Sequence, residues 1–69
     1  MRNFTAIIER EADSDMLVAY VPGFPGAHAQ GRTTEELNQR LTEVIQMLLE
    51  DGEPQLQAEF VGTQNVKVA

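Results

Sequence analysis

The sequence has no cysteine, which excludes disulfides and thiolate metal sites as ways of holding the fold together. It also lacks tryptophan, carries one tyrosine, and has a single histidine, His28. One histidine is too little for a zinc cluster or a histidine-centred catalytic group. Basic residues are scarce: five Lys and Arg stand against eleven Asp and Glu, a formal net charge of −6. Phosphate binding needs clustered Lys or Arg, so the balance argues against direct nucleic-acid binding and suits a basic partner. Solubility alone accounts for the same acidity, and composition does not separate the two. No apolar run reaches the length of a membrane span, and the first residues show no signal-peptide core. The expected location is therefore cytoplasmic, with no membrane partner.

With 69 residues, the chain is expected to form one domain, 1–69, and a marginal one. A chain this short buries only about 60% of its unfolded surface and commonly needs a disulfide, a metal or further copies for stability. The first two are not on offer, so a homo-dimer or tetramer is expected, with no cofactor.

What is present is strong local punctuation. Val21-Pro22-Gly23-Phe24-Pro25-Gly26 gives the Pro-Gly turn signal twice: Pro fixes φ near −65° and Gly accepts φ > 0, as a type II turn requires. A few residues on, Thr33 and Glu36 have the spacing of a capping box.

Around this punctuation the pattern reads β-β-β-α-β, an α+β domain with an antiparallel-rich sheet and one helix on one face. Phe4, Ala6 and Ile8 share one parity, opposite Asn3, Thr5, Glu9 and Glu11, as in a strand with one covered face that only Ile7 interrupts. Ala12-Asp13-Ser14-Asp15 reads as a polar turn, and Met16 to Val21, apolar on both parities, as a central strand. These two strands should pair as an antiparallel hairpin. Ala27 to Gln30 is a weaker third strand between two turn signals. Leu37, Leu41, Val44, Ile45 and Leu48 recur at helical spacing, predicting a helix from Thr34 to about Asp51; Gly52 suits its C′ position and Pro54 blocks continuation. Met47 and Leu49 widen the stripe, a hint of a second contact surface. In the tail, Leu56, Ala58, Phe60, Val66 and Val68 all fall on even positions. The tail therefore reads as a last strand, either bent at Gly62, the preferred form, or split by a Gly62–Asn65 turn.

In this order, the strand Phe4–Glu9, the turn near Asp13, the strand Leu17–Val21, Pro22, Pro25-Gly26, Gln30-Gly31, Thr33, Glu36 and the leucine-rich helix resemble the N-terminal domain of HicB-like antitoxins. About three quarters of the chain is covered. The resemblance implies a degraded RNase H-like fold and a role in covering a small basic RNA-cleaving toxin of a type II toxin-antitoxin system. The chain departs from the pattern at Arg32, where an acidic residue is common, and at Leu37, where alanine is common. It shows no helix-turn-helix or ribbon-helix-helix segment, so DNA binding is not carried over. The histidine that cleaves RNA belongs to the toxin in that family, so His28 inherits no role.

The candidate partner-binding residues are Glu9, Glu11, Asp13, Asp15 and Phe24. The four acids cluster around the first hairpin. Inward convergence would make them a metal site; as an outward cluster they form a solvated edge or a docking patch for a basic partner. Phe24, on a rigid loop, is either an interface anchor or a lid folded onto the core. His28 reads as a solvent-facing strand residue. No nucleophile, base and orienting group can be assembled, so the expectation is a non-catalytic protein-binding domain. The alternative is an orphan self-assembling domain without a toxin partner.

Overall fold

A computed structural model describes residues 2–69. Its element order is β1 (Ile7–Arg10), β2 (Leu17–Tyr20), β3 (His28–Gly31) and α1 (Thr34–Glu50). The strands form one antiparallel sheet in the order β1-β2-β3, with the helix on one face: an α+β fold as the pattern predicts. Each junction has a local cause. The Glu11 N–H donates to the Met16 carbonyl at 3.0 Å, closing the first hairpin around Ala12-Asp13-Ser14-Asp15. Ser14 Oγ accepts from the Met16 N–H at 3.2 Å and donates to Glu11 Oε1 at 2.9 Å, so the turn supplies its own hydrogen bonds.

After β2 come two successive turns. The Phe24 N–H donates to the Val21 carbonyl and the Ala27 N–H to the Phe24 carbonyl, both at 3.1 Å. Gly23 and Gly26 take φ of 77° and 85°, the left-handed values that the third position of a type II turn demands. The Val21 N–H then bonds the Ala27 carbonyl at 3.0 Å, and the chain enters β3 beside β2. Thr33 caps the helix, its hydroxyl accepting from the Glu36 N–H at 3.1 Å. Glu36 reaches back one residue further than a standard capping box, to the Arg32 N–H at 3.1 Å. At the other end, Gly52, with φ 117°, lies beyond the Asp51 C-cap.

The helix packs across β3 and β2 and, among the described residues, does not reach β1. Leu37 and Leu41 sit on Leu17 and Ala19, with Ala6, Ala29 and Ile45 around them. A second group, Val21, Phe24 and Ala27, is sealed by Phe4, Leu48 and Leu49. The Phe4 and Phe24 rings lie 5.5 Å apart at 52°, a tilted pairing that suits the ring quadrupoles.

The tail differs from expectation. Residues 51–69 contain no strand. The Gln57 N–H donates to the Gly23 carbonyl at 2.7 Å, and the backbone of Ala58 passes against Gly23. Beyond that the chain is exposed, with Val61 at 89% and Val68 at 83%. Alternating parity makes a segment fit for a sheet face, but a strand also needs an edge to pair with. Within this chain the tail takes none.

Candidate functional site

Residues paired across an antiparallel ladder point to the same face, so the register sorts the side chains. Ile8, Ala19 and Ala29 form one row facing the helix, since Ile8 pairs with Ala19 and Ala19 with Ala29. The neighbouring rows, Ile7–Tyr20–His28 and Glu9–Val18–Gln30, face the other way. No helix covers that side. The open face is a three-strand platform with an aromatic and two aliphatic side chains near its middle, and Tyr20 on it is 39% exposed. A shallow depression of ≈ 400 Å³ runs between β2 and β3, lined by Val18, Tyr20, His28 and Gln30 among others.

The acidic residues lie at one end of this platform. Glu9 is in β1 on the open face. Glu11 has the same parity and sits opposite Met16, while Asp13 and Asp15 occupy the loop that closes the hairpin. All four are exposed. Arg10 is the one cation in this stretch, and its Nη1 donates to the Asp15 carbonyl at 3.4 Å rather than to one of the four carboxylates. Among the described residues no three of His, Asp and Glu converge as a metal site would require. The hairpin thus presents a run of negative charge beside an apolar platform, the arrangement of an interface with an apolar centre and a charged rim.

Phe24 sits elsewhere. At 7% exposure it closes the second core group, so of its two alternatives the structure has the lid on the core. His28 is exposed on the open face opposite Tyr20. The sequence reading passed over Tyr20 and Val18. The signal was available in β2, where Leu17, Ala19 and Val21 fill the covered parity and leave Val18 and Tyr20 on the other.

A second concavity, of ≈ 490 Å³, lies between the segment that leads into β1, residues 2–6, and the flank of α1, with Asn38, Thr42 and Gln46 among its lining. Phe4, Ala6, Leu41, Ile45 and Leu49 give it an apolar wall. Beside it Ile8, although it faces the helix side of the sheet, is 50% exposed.

The chain is 36% identical over 66 residues to a UPF0150 protein of Thermotoga maritima, covering 94% of this chain and 88% of the relative. It is 37% identical over 67 residues to a UPF0150 protein of Synechocystis, covering 97% and 96%. A UPF0150 protein of Archaeoglobus fulgidus is 37% identical over 65 residues, covering 94% and 93%. The chain belongs to the UPF0150 family. Matches over 88–96% of these three relatives make this chain similar to them in size as well as in sequence. No family model matches the chain, and no solved structure does.

Proposed function

We propose that this UPF0150 chain is a non-catalytic protein-binding domain, antitoxin-like and related to HicB proteins, whose open sheet face covers a small basic RNA-cleaving toxin. The observation that carries the reading is the pairing of an uncovered apolar platform, Ile7, Val18 and Tyr20, with the acidic hairpin end formed by Glu9, Glu11, Asp13 and Asp15. An apolar centre supplies contact area, and a rim of one charge sign steers and orients a partner of the opposite sign. The net charge of −6 extends the same field over the whole molecule. One further feature supports the antitoxin-like part. The double turn, cap and leucine-rich helix keep the order that resembles HicB domains.

The experiment is co-expression of the full chain with the product of the adjacent reading frame, where that product is small, basic and carries a histidine. A stable complex that suppresses RNA cleavage by the partner, and whose formation slows with added salt, is the expected result. Active cleavage in the presence of excess chain contradicts the proposal. The second reading, a domain that assembles only with itself, is favoured by the exposed apolar tail.

A further inference from the structure

We propose that the tail, residues 60–69, of one copy crosses to a second copy of this chain and adds as a fourth strand along the free edge of its β1, beside the groove between α1 and the segment that leads into β1. This goes beyond the proposed partner, which uses the opposite face of the sheet. The argument starts from two incomplete surfaces. The first is the β1 side of the sheet. β1 pairs only with β2, so its outer N–H and C=O groups present a row ready for strand addition. Next to that edge the helix stops short, leaving Ile8 half exposed, and the groove between α1 and residues 2–6 combines an apolar wall of Ala6, Leu41, Ile45 and Leu49 with polar Asn38, Thr42 and Gln46. The other sheet edge is better protected: α1 lies over β3, and Arg40 Nη1 donates to the Gln30 carbonyl at 2.9 Å.

The second surface is the tail. Phe60, Val66 and Val68 share one parity, interrupted by Gly62 and Gln64, and Thr63, Asn65 and Lys67 take the other with Val61; over residues 65–68 the alternation is that of a strand with one buried face and one wet face. Yet Val66 is 76% and Val68 83% exposed. A β-branched, weakly charged segment left in water is an aggregation hazard that needs covering. The free β1 edge takes a strand with an apolar side toward Ile8, and Val66 and Val68 give the tail such a side.

Charge selects the occupant. Residues 60–69 carry Lys67 and no acidic side chain, within a chain of net charge −6. The crossing strand therefore brings positive charge to an acidic second copy, whereas on a basic partner it would meet like charge. The anchoring points the same way. The bond from Gln57 to Gly23 and the passage of Ala58 against Gly23 pin the start of the tail beyond the end of β2, and residues 61–69 that follow are all exposed. Reciprocal exchange gives a two-fold interface in which each copy donates one strand and receives one.

Two measurements on the full chain test this. Sedimentation velocity is to give a dimer or a larger even assembly. The pair Val66→Lys/Val68→Lys should raise the dissociation constant by at least roughly 100-fold, because reciprocal exchange buries these valines on both tails. The pair Thr63→Lys/Asn65→Lys, on the wet parity, should leave it within about threefold. Both pairs lie in an exposed tail, so neither should unfold the body. In a mixed sample of labelled and unlabelled protein, isotope-filtered NOEs should connect Ile8 methyls with valine methyls of the tail across copies. A wild-type monomer at tens of micromolar, equal effects of the two pairs, or Ile8–valine NOEs confined to one molecule would each overturn the proposal, the last by showing the chain's own tail at its β1 edge.

Discussion

Gly23 is the residue whose chemistry the fold can least replace. It holds φ at 77°, and a Cβ there would run into the backbone of Ala58, not into a side chain that could move aside. Gly23→Ala should therefore destabilise the protein by about 1–3 kcal/mol through strain and a displaced tail. Gly62 is the control, since a Cβ added there meets nothing within 4 Å, and Gly62→Ala should stay within about 0.5 kcal/mol. Urea melts at one fixed protein concentration compare the two, because self-association makes apparent stability depend on concentration. Phe24→Ala belongs to the same scale. With the ring buried against Phe4, its loss should cost about 3–5 kcal/mol of folding stability, read from the same melts. An unchanged midpoint would put the ring back on the surface as an anchor.

Among the elements, the helix and the first hairpin were legible in the sequence because local chemistry decides them. Thr33, the leucine spacing and Gly52 define a helix wherever it packs, and Asp13-Ser14-Asp15 make a turn from their own side chains. The third strand was legible through the turns around it, its bounds shifted by one residue to His28–Gly31. The tail was misread because periodicity reports which face a strand would bury but not which edge it pairs with. The four-acid hairpin was visible in the sequence; the apolar platform beside it was not, because placing Tyr20 and Val18 requires the register. Burial also ranks the helix stripe more finely than spacing does. Leu37 is 1% and Leu41 7% exposed, while Leu48 is half-buried. Leu37→Ala and Leu41→Ala should each cost about 2–5 kcal/mol, and Leu48→Ala less than either. Thr33→Ala should cost about 1 kcal/mol. Thermal denaturation of the four variants gives the order, and a Leu48 loss equal to that of Leu41 would place the core nearer the helix C-terminus.

For the whole molecule, separate roles are proposed for the two sides of the sheet. The covered side holds the chain's own core, and the proposed strand exchange would extend cohesion at the β1 edge to a second copy. The open side, with its acidic end, is the one proposed to meet a basic partner. This division has a kinetic consequence. Exposed charges act mainly on encounter and are screened beyond about 8–10 Å at physiological salt, whereas the platform around Tyr20 acts on residence time. Tyr20→Ala should thus speed dissociation with little change in association, as read by surface plasmon resonance. The measurement that tests the central claim most directly is the association rate of the basic partner at low salt, for wild type and for the chain carrying Glu9→Gln, Glu11→Gln, Asp13→Asn and Asp15→Asn together. The account predicts association slowed by roughly tenfold or more, with a flatter dependence on salt. Equal rates for the two proteins would contradict it and leave the acidic hairpin as a solvated edge.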